Sequence, residues 1–262
     1  MSRKDEVVGV FGRAAATYDQ VGPRPFSHFG RRLVELAGLR PSDKVLDVAA
    51  GRGAVLFPAA ERAARVVGID LAEPMVAALN DEIRARDLRN AEARLMDAES
   101  LAFEDGTFDV VLCNLSLFLF DVERCLQECR RVLGPGGRLG FTEFGKGDPR
   151  WDWHRELLSS LRDESPARRK GPGTRDDQRG EIEVLLTSLG LESITFVEES
   201  RDLVFADADE WWRWVWSQGQ RGFLERMDEE QLERYRAGVY ARLPDPIVNT
   251  WTVLFVLAGR PV

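Results

Sequence analysis

A chain of 262 residues in which 44% of the side chains are hydrophobic is long enough to bury a sizeable core, which excludes a disordered protein. Its formal net charge of −8 argues against a general nucleic-acid-binding protein, because phosphate contacts depend on clustered Lys and Arg. No apolar run resembles a signal peptide or reaches the roughly 20 residues of a membrane helix. We therefore expect a cytoplasmic protein without a membrane span.

Two helical patterns come first along the chain. They cover Phe11 to Tyr18 and Phe26 to Ala37, and Gly22, Pro23 and Pro25 separate them. Residues 44–144 then alternate short apolar runs with helical stretches, which predicts a parallel sheet with crossover helices. The predicted strands are Val45 to Ala49, Val66 to Asp70, Ala91 to Met96, Val110 to Asn114 and Arg138 to Phe144. The predicted helices between them are Val55 to Ala63, Glu73 to Arg86 and Val122 to Leu133.

The remainder of the chain predicts a long loop followed by further helices and two strands. Residues 146–180 are polar and rich in Gly, Pro and Arg, which indicates a loop with one short helix near Trp153 to Leu161. The elements predicted after it are a helix at Glu181 to Ser188, a strand at Ser193 to Glu198, helices at Asp207 to Gln218 and Gly222 to Arg242, and a strand at Thr252 to Ala258. Together the segments predict an α/β fold, a doubly wound and mainly parallel Rossmann-like sheet of about seven strands.

The turn between the first predicted strand and its helix is the first candidate binding element. Gly51 and Gly53 permit a tight turn and a close approach of the backbone to a ligand. A dinucleotide site favours a third glycine at the G-x-G-x-x-G spacing, and Leu56 occupies that position. Asp47, just before the turn, is a poor neighbour for a phosphate and a good one for a cation. These features favour S-adenosylmethionine (SAM), which carries an ammonium and a sulfonium, over a nicotinamide dinucleotide.

Two further acids follow at later strand ends. Asp70 closes the second strand, where a carboxylate can accept hydrogen bonds from both hydroxyls of a ribose. Asp97 follows the third strand and can accept from an exocyclic adenine amine, while the Ala98 amide donates to the ring. Three acids at three successive strand ends make the pattern specific.

With these residues the sequence resembles the class I SAM-dependent methyltransferases, and more narrowly their ubiquinone/menaquinone-biosynthesis-like branch of small-molecule enzymes. The resemblance covers about residues 11–145. The motifs that carry it are Phe11-Gly-Arg-Ala-Ala-Ala-Thr-Tyr18-Asp19, Val45-Leu-Asp-Val-Ala-Ala-Gly-Arg-Gly53, Gly68-Ile-Asp-Leu-Ala-Glu-Pro-Met75, Asp97-Ala98, Phe108-Asp-Val-Val-Leu-Cys-Asn114 and Arg131-Val-Leu-Gly-Pro-Gly-Gly137.

The resemblance implies a role for each matching position. Ala49, Gly51 and Gly53 would wrap the methionine moiety, although relatives commonly have glycine where this chain has Ala49 or Ala50. Asp70 would hold the ribose. The remaining implied contacts are Asp97 and Ala98 on the adenine, Leu71 and Met75 flanking its ring, the backbone oxygens of Asn114 and Leu115 facing the ammonium, and Tyr18 closing over the cofactor.

The resemblance also implies how the chain is divided. Residues 1–40 would form a helical lead that closes over the cofactor, and residues 41–145 the SAM-binding core. Residues 146–262 would supply lid segments and the C-terminal strands of the same sheet, with the last strand antiparallel.

The sequence says less about the methyl acceptor than about the cofactor. Leu115 and the apolar residues after it predict a small, largely hydrophobic acceptor, natural-product or quinone-like, methylated at oxygen, nitrogen or carbon. The Asn-Pro-Pro-Tyr type of motif of DNA and protein amine methyltransferases is not found after the fourth strand, so we expect no nucleic-acid partner. A Trp-rich segment, residues 211–216, with Trp151 and Trp153, is a hypothetical lid over the acceptor or a subunit interface in a homo-oligomer.

A catalytic base is needed only if the acceptor must lose a proton. The candidates are His28, Glu143 and His154. We predict no metal site, since clustered carboxylates are missing and Cys113, Cys125 and Cys129 do not have zinc-ligand spacing. Two alternatives stay open: a SAM-binding protein of this fold that transfers no methyl group and, disfavoured by Leu56 and Asp47, a nicotinamide-dependent oxidoreductase.

Overall fold

A single seven-stranded sheet organises the computed structural model, which describes residues 3–160 and 178–262. The strands are β1 (Lys44–Val48), β2 (Arg65–Asp70), β3 (Ala91–Leu95), β4 (Phe108–Cys113), β5 (Leu133–Phe144), β6 (Glu192–Phe205) and β7 (Ile247–Gly259). Their order is β3-β2-β1-β4-β5-β7-β6. Strands β1 to β5 are parallel, whereas β7 runs antiparallel to both β5 and β6. The predicted α/β fold, including the antiparallel last strand, is confirmed.

Helices cover both faces of the sheet. The α-helices of the described residues are α1 (Arg3–Ala14), α2 (Pro25–Ala37), α3 (Leu56–Ala60), α4 (Glu73–Ala85), α5 (Val122–Val132), α6 (Asp152–Ser160), α7 (Gln178–Ser188), α8 (Ala208–Trp216), α9 (Arg221–Leu224) and α10 (Glu229–Tyr240). None of them is long and apolar enough to cross a membrane. Because alternate residues of a strand point to opposite faces, Val45 packs with α2, α3 and α4, and Leu46 with α5 and α7.

The order of the strands in the sheet indicates where a ligand would bind. Strand β1 lies between two parallel neighbours, β2 on one side and β4 on the other. The chain connects β1 to β2 on the first side and later crosses to β4 on the second. The connections therefore separate at the carboxyl end of β1 and open a crevice there, which is where open α/β sheets bind ligands. Asp47, the glycine turn and Asp70 all lie at that edge.

A third hydrophobic cluster lies beside the sheet, and we call it the aromatic cluster. It rests on the ends of β6 and β7 and joins helices α6, α8, α9 and α10. Its buried members are Trp151, Leu203, Phe205, Trp211, Trp214, Val215, Leu224, Tyr235 and Val239. The last two strands therefore complete the sheet, and helices α6, α8, α9 and α10 build a small core beside it.

Several predicted boundaries are corrected by the structure. The first helix begins earlier and ends at Ala14, because Thr17 and Tyr18 form a tight turn on the Ala14 carbonyl. The helix predicted from 222 to 242 is two helices, since Asp228 starts α10 with a capping box to Gln231. Both final strands are longer than predicted because they pair with each other along their whole length. Part of the predicted 146–180 loop, residues 161–177, lies outside the described residues.

Candidate active site

One large cavity lies at the carboxyl ends of the parallel strands. Its volume is about 1240 Å³, above the roughly 300–1,000 Å³ of common small-molecule pockets, so it has room for a cofactor and a second molecule. Its wall extends from α1 and the glycine turn to the aromatic cluster. Of the sequence-predicted site residues, those in the wall are Tyr18, Asp47, Ala49, Gly51, Asp70, Leu71, Met75, Ala98, Asn114, Leu115, Glu143 and His154.

Most of the glycine turn lines the cavity, from Ala49 to Arg52, but Gly53 does not. Ala49 and Gly51 line the cavity, and both have left-handed backbone angles, with φ of 56° and 50°. Gly53, with φ of 81°, is not part of the wall formed by the described residues. A Cβ atom at Gly53 would lie 2.5 Å from the Phe57 ring and 2.8 Å from Leu79. Gly53 is therefore needed for the packing of α3 and α4 behind the turn.

Asp70 fixes the shape of this turn. Its Oδ2 accepts from the Gly51 amide at 2.9 Å, and its Oδ1 accepts from the Ala72 amide at 2.9 Å. Burial raises the pKa of Asp70, while these amides lower it. Each carboxylate oxygen has a second lone pair, so the residue can still accept from a ribose.

Asp47 is almost completely buried, with 1% of its surface exposed. Its Oδ2 has no hydrogen-bond partner among the described residues, and it lines the cavity. Burial raises the pKa of Asp47 well above its ordinary value, and the nearby Asp70 raises it further. Asp47 therefore holds its proton more tightly than an ordinary aspartate does.

The expected adenine end is partly occupied by the chain itself. Ala98, Leu71 and Met75 line the cavity, but Asp97 does not belong to the wall that residues 3–160 and 178–262 form. Lys4 of α1 donates from Nζ to Asp97 Oδ2 at 2.6 Å and lies 2.7 Å from Glu99 Oε2. Helix α1 is therefore fastened over this end of the cavity by an ion pair on the acid that was expected to bind the adenine amine.

The turn after α1 brings aromatic residues to the middle of the cavity. Tyr18 stacks on Phe26 with ring centroids 5.0 Å apart, and its edge meets Phe11 at 5.7 Å. The Asn114 side chain donates to the Phe26 carbonyl at 3.1 Å and accepts from Thr142 Oγ1 at 2.8 Å. The side chain of Asn114 thus ties α2 to β4 and β5.

The opposite half of the cavity is aromatic. Trp251 of β7 meets Phe144 at 5.1 Å and Phe26 at 5.8 Å between ring centroids. Trp151 and Tyr235 bring the aromatic cluster into the wall. This half suits an apolar, planar molecule, because aromatic rings offer large contact areas and favour edge or offset stacking.

The three candidate bases are in very different places. His28 is outside the cavity wall of the described residues; it accepts from the Arg201 guanidinium and packs on Phe29. His154 lines the cavity, but its Nε2 is hydrogen-bonded to Tyr235 Oη at 2.6 Å. Burial lowers the pKa of His154 to about 4, with a further contribution from Arg155. Neither histidine is available as a base near neutral pH in this geometry.

Glu143 differs from both histidines. It lies near the end of β5 and lines the cavity, and its carboxyl group makes no hydrogen bond or ion pair with any described residue. Burial alone raises its pKa to about 7. A carboxyl group poised at this pKa can hold or release a proton at physiological pH.

The lid hypothesis for the Trp-rich segment is wrong for its four tryptophans. Trp211 and Trp214 are buried in the aromatic cluster, and Trp212 and Trp216 pack around it. None of the four belongs to the cavity wall of the described residues, whereas Trp151 does. Trp212 packs on Tyr235 and Tyr240 of α10, whereas Trp214 packs on Phe205 and Trp251 of the last two strands.

Sequence reasoning missed three cavity residues with unusual surroundings. Asp19, Gln218 and Tyr235 are all buried and line the cavity. Asp19 stands in the quoted Tyr18-Asp19 motif, which was a signal for it. Gln218 and Tyr235 come from segments with no motif, so only the tertiary fold reveals them.

Comparison with known proteins identifies methyltransferases as relatives of this chain. Residues 46–141 match the family described as "Methyltransferase domain". Nocamycin O-methyltransferase of Saccharothrix syringae is 35% identical over 279 residues, covering 96% of this chain and 97% of the relative. Aklanonic acid methyltransferase DauC of Streptomyces sp. (strain C5) is 39% identical over 145 residues, or 54% of this chain and 66% of the relative. Demethylmenaquinone methyltransferase of Thermus thermophilus is 43% identical over 119 residues, or 44% and 53%.

Solved structures show the same fold. The YcgJ protein of Bacillus subtilis superposes with a TM-score of 0.61 at 21% identity, covering 90% of this chain and 99% of that one. Geranyl diphosphate C-methyltransferase of Streptomyces coelicolor A3(2), solved with S-adenosyl-L-homocysteine, gives a TM-score of 0.54 at 18% identity, covering 89% and 79%.

The chain belongs to the class I SAM-dependent methyltransferases, in the small-molecule branch that includes enzymes of quinone biosynthesis. SAM is its cofactor, and the residues present fit that group. The Asp47 carboxyl has a free oxygen at the cavity, Gly51 leaves a gap under the Tyr18 ring, and Leu71 and Met75 offer apolar surface at the adenine end.

Proposed function

We propose that this enzyme methylates an oxygen atom of a small, largely apolar acceptor, and that Glu143 accepts the proton of that hydroxyl group. The observation that carries the proposal is the Glu143 carboxyl: it is unpaired, lines the cavity and has a pKa of about 7. A phenol or enol is a weak methyl acceptor until it loses its proton, and a carboxylate within hydrogen-bond reach can take that proton.

The walls around Glu143 support an apolar acceptor. Its strand neighbour Phe144 contacts Phe118 at 5.8 Å and Trp251 at 5.1 Å between ring centroids. Phe141, two residues before it, is buried and also lines the cavity. Such walls orient a ring and exclude water from the reacting atoms.

SAM, when bound, supplies a methyl group on a sulfonium, which transfers to a nucleophile by in-line displacement. The chain's own residues have the remaining tasks. The aromatic half of the cavity orients the acceptor, and Glu143 holds the proton that leaves it. No metal is needed for these tasks, since the proton has a protein acceptor.

The full-length relative from Saccharothrix syringae is named an O-methyltransferase, which supports oxygen as the methylated atom. A second candidate is an acceptor that is itself a carboxylic acid. Two relatives favour it: the aklanonic acid methyltransferase, and the malonyl-[acyl-carrier protein] O-methyltransferase of Geobacter sulfurreducens, 28% identical over 281 residues. A carboxylate is already ionised at neutral pH, so Glu143 would then have to be protonated to donate to it rather than repel it.

The two candidates predict opposite effects of pH. For a hydroxyl acceptor, Glu143 must be ionised, so the single-turnover rate rises with pH and levels off above about pH 7. For a carboxylate acceptor, Glu143 must be protonated, so the rate at subsaturating acceptor falls as pH rises through the same value. Purified protein, SAM and a panel of phenols, hydroxyquinones, enols and carboxylic acids would be assayed by S-adenosylhomocysteine formation.

The variant Glu143→Gln separates the candidates further. A hydroxyl acceptor predicts a loss of roughly 10²–10⁴-fold in single-turnover rate and the disappearance of the inflection near pH 7. Glu198→Gln, on β6 in an exposed ion pair with Arg179, is the matched control and is expected to keep the wild-type rate. Retention of activity in Glu143→Gln together with a preference for acids would replace the first candidate by the second.

The finer expectations from the sequence stay predictions. They are the exclusion of nucleic-acid acceptors, self-association through the aromatic segment, the cytoplasmic location, the closing of residues 1–40 over the cofactor and a lid formed by parts of 146–262. The ion pair of Lys4 with Asp97 supports the closing of residues 1–40 over the cofactor, because it holds α1 against the cofactor end of the core.

A further inference from the structure

We propose that Asp19 binds the ammonium group of the SAM methionine moiety through its Oδ1 atom and supplies negative charge at that end of the cavity. The proposal concerns cofactor binding only and does not depend on which atom of the acceptor is methylated. Its evidence is a buried carboxylate oxygen without a partner, its place in the cavity wall and its charge.

The two oxygens of Asp19 have different surroundings. Oδ2 accepts from the Ser27 amide at 2.8 Å and from the Ser27 hydroxyl. Oδ1 is buried and has no hydrogen-bond partner in the part of the chain that the structure describes. Only 5% of the residue is exposed, and it lines the cavity. Native proteins rarely leave a buried carboxylate oxygen unpaired, which points to a partner outside the chain.

Helix capping explains only half of this arrangement. The N-cap residue of α2, Arg24, makes no side-chain capping bond, and Asp19 replaces it by accepting from Ser27 in the first turn. That bond uses Oδ2 alone. A neutral Asn could accept the same bonds, so capping gives no reason for the second oxygen, whereas the positive end of the helix dipole does favour a negative charge there. Asp19 also has a left-handed φ of 53°, a strained conformation of the kind that functional sites hold.

The charge of Asp19 suits a cationic partner. Burial raises the pKa of Asp19 to about 6, while Ser27, the Phe26 amide and Arg24 lower it. Asp19 is therefore mainly ionised at neutral pH and can balance a cation. Burial also raises the pKa of Asp47, and the nearby Asp70 raises it further, so Asp47 holds its proton more tightly than an ordinary aspartate does.

The position of Asp19 favours the ammonium over the sulfonium. The adjacent Tyr18 ring lies over the glycine turn, since a Cβ atom at Gly51 would be 3.7 Å from it. Burial raises the pKa of Tyr18, and the nearby carboxylates of Asp19 and Asp70 raise it further. The charge of Asp19 thus lies beside the turn that is expected to surround the amino-acid end of the cofactor, opposite the Asp70 ribose position.

The test measures binding by titration calorimetry, with three ligands that differ by single groups. They are S-adenosylhomocysteine, its analogue without the amino group, and SAM. In the variant Asp19→Asn, we expect the affinity for S-adenosylhomocysteine to fall roughly 10- to 100-fold, the range typical of a lost charge-assisted hydrogen bond. The affinity for the deaminated analogue should stay within about threefold of wild type, because that ligand has no ammonium to lose.

The variant Ser27→Ala is the matched control. It removes the hydroxyl bond to Oδ2 but keeps the charge on Asp19, so a lower melting temperature with an unchanged preference for the amino group is expected. Equal losses for S-adenosylhomocysteine and its deaminated analogue in Asp19→Asn would show a merely structural role and overturn the proposal. A loss confined to SAM would assign Asp19 to the sulfonium and overturn it as well.

Discussion

The two halves of the cavity are built in different ways. The cofactor half consists of strand ends and tight turns: Ala49, Gly51, Asp19 and Leu115 all line it with positive φ angles. The acceptor half consists of bulky side chains from distant parts of the chain that meet in the aromatic cluster and at Trp251. Backbone conformation sets the shape of the cofactor half, and side-chain packing sets the shape of the acceptor half. We therefore expect cofactor binding to be sensitive to turn geometry and acceptor choice to be sensitive to side-chain volume.

Loss of a central tryptophan is the strongest test of this separation. Trp211 is 1% exposed in the aromatic cluster and stacks on Trp151 at 5.9 Å. Trp211→Ala is expected to lower the free energy of unfolding by about 3–5 kcal/mol, which denaturant titration measures. The affinity of the folded protein for S-adenosylhomocysteine should be unchanged. Trp216→Ala, at the half-buried edge, is the milder control; an affinity loss in the Trp211 variant would show that the halves are coupled.

Replacement of Gly53 tests how far the cofactor half depends on backbone conformation. In Gly53→Ala the new Cβ would clash with Phe57 and Leu79, and the φ of 81° is unfavourable for any L-residue. We expect a destabilisation of about 2–5 kcal/mol, together with weaker binding of S-adenosylhomocysteine because the turn must move. Gly190→Ala is matched in backbone angle, with φ of 70°, but has open space around the Cβ. It should lose only about 1 kcal/mol and no affinity.

Ionisation of Glu143, in the acceptor half, affects the stability of the folded protein. Its pKa is raised from an ordinary 4.5 to about 7, so the folded state holds this proton more tightly than the unfolded chain does. The protein therefore loses stability as pH rises from about 4.5 through 7. Glu143→Gln should have wild-type stability below pH 4 and exceed it by roughly 1–3 kcal/mol above pH 7. Parallel unfolding curves of the two proteins at all pH values would contradict the buried, unpaired state of this carboxyl.

Ala49 is expected to give the smallest effect. Its left-handed φ of 56° strains a residue with a Cβ. Ala49→Gly removes the strain but adds flexibility to the unfolded chain, so we expect a net gain below about 1 kcal/mol in thermal unfolding. Ala50→Gly, whose backbone is not left-handed, should instead lose about 1 kcal/mol. A clear loss in Ala49→Gly would show that the alanine methyl group has a packing role.

The difference between the two halves also explains which parts of the site could be predicted from the sequence. The succession of strands and helices in the core and the glycine turn follow from local patterns, and Asp70, Ala98 and Met75, which were named from the sequence, line the cavity. Asp97 was expected in the wall but pairs with Lys4, because α1 begins earlier than its pattern indicated. Gly53 was placed at the ligand, and in the structure it faces Phe57.

The acceptor half could not be predicted because its contacts join residues far apart in the chain. His154 meets Tyr235, a partner 81 positions away, and Trp151 donates to the Val248 carbonyl across 97 positions. The tryptophans of α8 were conspicuous in the sequence, yet they fill a core between helices. An aromatic composition indicates burial, but only the packing shows which side of a helix meets the cavity.

Transfer of a carbon-13-labelled methyl group from SAM to an acceptor tests the central proposal most directly. The acceptor panel described above would be incubated with the enzyme and labelled SAM, and the product examined by carbon–proton correlation NMR. We predict a methyl signal typical of carbon bonded to oxygen, which disappears or becomes at least about 100-fold slower to form with Glu143→Gln. A product methylated at nitrogen or carbon, formed equally fast by the wild-type enzyme and the variant, would contradict the account.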